Sequence, residues 1–192
     1  SHGRHEDKMG LRTSNTCDLT LNDVRAPADH LVGAEGEGFR IAMSGLDISR
    51  PFMATIAVGM MQRALDEAAA YALRREQFGQ PIFDFQMVQD MLARMSAKIV
   101  ASRALVEHTM RLVDEEQDVQ KDGAITKQFV TDVLQEVVSD AVQVMGGNGY
   151  TKEYPVEKIM RDAKVFQIME GTNQIQSIVI ARRLKKEYAA RL

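Results

Sequence analysis

From Phe39 onward, apolar residues recur at three- and four-residue steps almost to the end of the chain, and no other feature restricts the fold as much. Leu46, Met53, Ile56, Met60, Ala64 and Leu65 mark one face of a long first helix reaching about Arg75. Pro51 lies inside it and has no N–H to give, so a kink or break is expected near Arg50. Phe78-Gly79-Gln80-Pro81 is a turn signal. A second helix shows Val88, Met91, Leu92, Met95, Ile99, Val106 and Val113, and Asp122-Gly123 is expected to break the chain after it. In the third, Ile125, Phe129, Val133, Val137, Ala141 and Met145 form a stripe flanked by Val130, Leu134 and Val138. Gly146-Gly147-Asn148-Gly149 stops it with residues that tolerate left-handed geometry. A short helix from Pro155 to about Lys164 follows. A last one starts near Thr172 with Ile175, Ile178, Val179 and Leu184 inward. This pattern predicts a mainly α fold, an antiparallel four-helix-type bundle with the 12 Met residues filling its core.

The segment before Phe39 differs. Thr16 to Val24 alternates and is rich in β-branched residues, as a half-buried strand would be. Pro27 ends it, and Gly33-Ala34-Glu35-Gly36-Glu37-Gly38 forms a glycine-rich joint. A lone strand makes no stable sheet, so this reads as a short N-terminal β remnant, the end of a β-domain whose other strands lie upstream. The alternative is a surface hairpin. The chain opens on Ser1 rather than Met, as expected of an excised piece, a processed product or an incomplete chain.

Charge is nearly balanced, with 24 Lys and Arg against 27 Asp and Glu, and no basic block recommends nucleic acid as a partner. A single cysteine, Cys17, excludes an intrachain disulfide framework. No apolar run approaches the roughly 20 residues of a membrane helix, so no membrane insertion is expected. His2, His5, His30 and His108 show no metal-ligand spacing with Cys17, and no metal is expected. Neither glycine cluster has the strand-to-helix context of a dinucleotide site, and both read as turns.

Longer signatures say more. Leu46-Asp-Ile-Ser-Arg50, Arg75-Glu-Gln-Phe-Gly79, Phe85-Gln86, Gln143-Val-Met-Gly-Gly-Asn-Gly-Tyr-Thr151, Tyr154-Pro-Val-Glu157, Arg161-Asp-Ala163 and Met169-Glu-Gly-Thr172 occur in this order. Together they resemble the C-terminal half of acyl-CoA dehydrogenases, over essentially all of Lys8 to Arg183. The resemblance implies two parts: the end of a middle β-domain, residues 1–34, and a C-terminal helical bundle, residues 35–192. It implies an FAD-dependent enzyme of fatty acid β-oxidation that removes an α-proton of an acyl-CoA thioester while a β-hydride passes to the flavin. Electrons would go on to an electron-transferring flavoprotein. The complete protein is expected to be a homodimer or homotetramer, in bacterial cytoplasm or mitochondrial matrix, with short- to medium-chain substrates slightly preferred.

By the same resemblance, Glu170 is the catalytic base. A carboxylate suits that role, because apolar acyl surroundings disfavour its charge and make it a stronger base. The base's own N–H is among the donors that polarise the thioester. Arg75 resembles the arginine that reaches across the dimer to the flavin pyrophosphate, and Phe78 and Gln86 match neighbouring flavin contacts. Gln143, Val144, Met145, Gly146 and Gly147 match the stretch that packs on the partner's FAD adenosine. Thr172, Asn173 and Gln174 match flavin contacts after the base. Asp47, Arg50 and Gly171 match substrate contacts, and Arg182 resembles an arginine on the CoA side. Each has a plainer alternative: Glu170 as an exposed acid near a helix N-terminus, Arg75 as a helix-end cation, Arg50 and Arg182 as salt-bridged residues.

Two departures stand out. Met169 replaces the tyrosine of many relatives, and Ser49 stands where some relatives carry the base on the first helix. Since the family's N-terminal domain and most of its β-domain lie outside these residues, the chain alone is expected to turn nothing over and to retain FAD poorly. Two other readings stay open: a truncated, non-catalytic homologue serving as an oligomerisation or interaction module, and an acyl-CoA oxidase-like flavoenzyme.

Overall fold

The computed structural model describes all 192 residues. Five helices build it: α1 (Gly38–Arg74), α2 (Gln86–Asp114), α3 (Gln120–Met145), α4 (Pro155–Ala163) and α5 (Asn173–Ala189). Between α1 and α2 lies a minimal antiparallel hairpin, β1 (Glu76–Gln77) and β2 (Gln80–Pro81). The predicted turn at Phe78-Gly79 is its tip. Both residues have positive φ, 53° and 83°, the pattern that closes a two-residue hairpin.

The core is the seam between α1 and α3. Ala54, Ala57, Ala64, Ala68 and Ala72 of α1 are fully buried, with Met61 among them. Such a small-residue stripe lets α3 approach closely with Val130, Val133, Leu134, Val137, Val138 and Ala141. Leu92, Met95, Ile99 and Val106 of α2 close the cluster on the other side. Of the methionines, Met61, Met95 and Met145 are core, whereas Met9 and Met87 are largely exposed, so methionine fills the core only in part.

Four local expectations need correction. α1 runs unbroken through Pro51. Pro51 cannot supply an N–H to the Asp47 carbonyl, and Gly123 passes that carbonyl so closely that a Cβ would lie 2.9 Å from it. Asp122-Gly123 therefore breaks nothing; it sits in the first turn of α3, and the chain turns earlier, at Glu116, with φ 55°. Thr16 to Val24 forms no regular strand. It makes a ladder of single contacts with the first residues, Gly3 N–H to Asp18 O at 2.8 Å and Glu6 N–H to Thr16 O at 2.9 Å, with one bridge between His2 and Leu19. Finally, Ile175, Ile178 and Leu184 of α5 remain 41–47% exposed, and Phe129 of α3 and Ile56 of α1 are likewise turned outward. The buried face of α5 is polar, made of Asn173 and Gln176.

Candidate active site

The chain leaves α4 through a 3-10 turn, Lys164–Gln167, and reaches α5 by the loop Ile168 to Thr172. Thr172 caps α5, its hydroxyl accepting from Ile175 N–H at 3.4 Å. Just before the cap, Glu170 and Gly171 both have positive φ, 59° and 85°. Glycine takes that conformation freely. Glutamate does not, and a non-glycine residue held there marks a loop fixed by its surroundings.

Those surroundings are hydrogen bonds from three elements. Gln176 of α5, fully buried, donates to both Glu170 O at 3.1 Å and Gly171 O at 2.9 Å. A Cβ on Gly171 would lie 2.8 Å from the same amide nitrogen, and its φ of 85° favours glycine independently. Lys127 of α3, also fully buried, donates to Gly171 O at 2.9 Å and to Asn173 Oδ1 at 2.7 Å. From α1, Ser49 donates its hydroxyl to Glu170 Oε2 at 2.6 Å. The carboxylate is thus half-buried at a junction of α1, α3 and α5, next to the positive end of α5.

Burial pushes the Lys127 ammonium down to about 8, opposed by Asp132 and Glu170 and assisted by Arg50. Between about pH 8 and the ordinary lysine value the unfolded chain holds a proton that the folded one has released. For this group, unfolding free energy therefore rises with pH across that window. Urea midpoints at the two ends should show the rise in the native chain, and Lys127→Met should reduce it.

The other expected site residues fall into separate places. Asp47 and Arg50 bind each other, Oδ1 to Nη1 at 2.5 Å; Arg50 is buried with its Nε unpaired, and Asp47 is part-exposed. Asn173 also turns inward, donating to Asp132 Oδ1 at 2.7 Å and Thr131 Oγ1 at 2.9 Å, and its side chain serves the loop anchor. Gln174 is exposed. Arg182 lines a basic cleft of about 440 Å³ with Arg183 and Lys186.

A second cleft, of about 310 Å³, lies at the far end of α1 and α3, lined by Arg75, Tyr71, Val144, Met145, Gly146, Gly147 and Asn148. Asn148 donates to the Tyr71 hydroxyl at 2.8 Å. The Val144 and Met145 side chains point into the core, which leaves their backbone and the two glycines as the cleft surface. Nothing lies within 4 Å of a Cβ placed on Gly146 or Gly147. Gln143 and Gln86 are exposed nearby in sequence, and Phe78 at the hairpin tip is 95% exposed. A bare backbone ledge beside a free guanidinium suits a flat, anionic group approaching from outside the chain, which fits an adenine dinucleotide.

Sequence reasoning passed over Lys127 and Gln176. Lys127 is in helical phase with Val130 and Leu134, and that phase was the available signal. It also found no metal-ligand spacing among three residues that the fold brings together. The N-terminal ribbon brings ligand atoms of His2, His5 and Cys17 within 4.8 Å of one another, with both histidines exposed.

Known proteins resemble this chain in sequence and fold. Residues 36–185 match the family model "Acyl-CoA dehydrogenase, C-terminal domain". The cyclohexane-1-carbonyl-CoA dehydrogenase of Geobacter metallireducens is 42% identical over 97% of the chain and 49% of its own length. Butyryl-CoA dehydrogenase from Megasphaera elsdenii superposes with a TM-score of 0.94 at 43% identity, over 96% of this chain and 48% of that one. A chain in the structure of the electron transferring flavoprotein of Acidaminococcus fermentans does so with 0.93 at 47% identity, covering 96% and 48%. The chain thus spans about half the length of the relatives it matches. The match over residues 36–185 and the shared fold lead to one statement: this chain belongs to the acyl-CoA dehydrogenase family, of which it carries the C-terminal helical domain.

Proposed function

We propose that the complete protein is an FAD-dependent acyl-CoA dehydrogenase in which Glu170 removes the α-proton of the substrate thioester. The observation that carries this is the Glu170 carboxylate, fixed by Ser49 at 2.6 Å on a loop whose backbone is tied at both Glu170 O and Gly171 O. A base so held needs no search for its proton, which is the main gain that positioning offers. Bound FAD would accept the β-hydride. Arg75, Phe78 and the Gln143 to Gly147 ledge would hold the cofactor of a partner subunit, and Thr172 and Gln174 would meet the chain's own. The cleft of Arg182, Arg183 and Lys186 would receive the phosphates of CoA. An electron-transferring flavoprotein is the expected acceptor, and a homodimer or homotetramer the expected assembly. Alone, these residues are expected to bind FAD weakly.

Anaerobic mixing of the complete, FAD-loaded protein with short- and medium-chain acyl-CoAs tests the reading directly. Bleaching of the flavin by at least one of them is expected, and no bleaching by any would remove it. The ledge has its own test. Gly147→Val places a side chain in open space, so the denaturation midpoint should hold while FAD affinity falls about tenfold or more. Unchanged FAD retention would separate the ledge from the cofactor.

A further inference from the structure

Lys127 is completely buried, yet the fold has little need of its charge. Gly171 O keeps a second donor in Gln176 Nε2 at 2.9 Å, whereas the Thr131 hydroxyl, 3.2 Å from Asn173 Oδ1, has its one proton closer to Lys127 O, at 2.8 Å. Removing the ammonium would still leave Gly171 O a donor. An unbranched apolar side chain of similar length would fill the space without the desolvation cost of a buried cation. What that exchange would lose is a positive charge directly behind the Glu170 loop.

We propose that Lys127 is a positioning residue for the base: from α3 it pins the Gly171 carbonyl, keeping the Glu170–Gly171 pair in its left-handed geometry, and its charge favours the ionised carboxylate while substrate displaces water. The inference rests on Glu170 being the base. The charged groups around Lys127 are Arg50 from α1, paired with Asp47, Asp132 from α3 itself, and Glu170 from the loop; α5 meets it with the neutral Asn173. Only Lys127 combines full burial and a charge with a direct bond to the loop backbone. Ser49 touches the carboxylate but brings no charge, and Gln176 ties the backbone but brings none either. An uncharged strut at position 127 would hold the loop; it would not oppose the loss of hydration at the carboxylate.

The experiment uses the complete FAD-loaded protein, with kcat and KM for an acyl-CoA measured across pH and the thermal midpoint beside them. Lys127→Met is expected to lower kcat about 10- to 100-fold with little change in KM. The acid limb of kcat should move up by roughly one pH unit, with the thermal midpoint within a few degrees of the parent. Lys127→Gln, which keeps a donor but no charge, should show the same shift of the acid limb with a smaller loss of rate. A folded variant that keeps the parent acid limb overturns the proposal. So does failure of both variants to fold, which would make the lysine a strut. Glu170→Gln in the same assay separates the two levels. If it still reduces flavin, the assignment of the base fails; if it is dead while both Lys127 variants keep the parent profile, only this inference fails.

Discussion

Glu170→Gln in the complete chain is expected to slow flavin reduction by acyl-CoA about 10²- to 10⁴-fold, the usual worth of a general base placed on its proton. The substitution is nearly isosteric and keeps a carbonyl oxygen for the Ser49 hydroxyl, now 2.6 Å from Oε2. It also leaves the backbone bonds from Gln176 untouched, since these run to Glu170 O and Gly171 O. Bound-flavin absorbance and the denaturation midpoint should therefore stay close to the parent's, and the loss should fall on the chemical step alone. Stopped-flow bleaching under anaerobic conditions reads that step. A variant that still bleaches near the parent rate would take the base away from Glu170, leaving the family assignment in place.

Gly149→Val is expected to produce the largest loss of stability. The turn after α3 folds back so tightly that a Cβ at this position would lie 2.6 Å from Val142 O and 3.0 Å from Met145 Cβ. Backbone cannot yield to such a contact as a flexible side chain would, so the turn must lift off the helix end, at a cost of about 3 kcal/mol. Chemical denaturation of the complete protein measures it. Because Gly146 and Gly147 lie on the same turn, FAD retention should fall together with stability, whereas Gly147→Val separates the two. An unchanged midpoint would show that the turn relaxes more easily than its contacts imply.

Much of this architecture was legible in the residues. The alternation of Val and Leu along α3, the glycine stop at Gly146 and the Thr172 cap each act through nearest neighbours on one helix, which is why a one-dimensional reading finds them. Gly123 is different. It reads as a breaker because its reason for being glycine, the Asp47 carbonyl of α1, is far away in sequence. Ile175, Ile178 and Leu184 mislead for the opposite reason: their period is helical, but α5 turns a polar face to α3. Of the candidate site, Glu170 came from a family signature, and its environment came only from the fold. A Ser49 hydroxyl 121 residues away carries no local mark, and a buried lysine in a Thr-Lys-Gln stretch that looks like surface carries only its helical phase with Val130 and Leu134.

The seam between α1 and α3 has a consequence for the groups that grip the base. Alanine has no side-chain torsion to adjust and valine only one, so helices meeting through such residues have almost no means of changing their separation. Ser49 rides on one wall of that seam and Lys127 on the other. The bundle therefore works like a caliper held near one setting: the opening into which Glu170 is held is dictated by two backbones rather than by the exposed side chains around it.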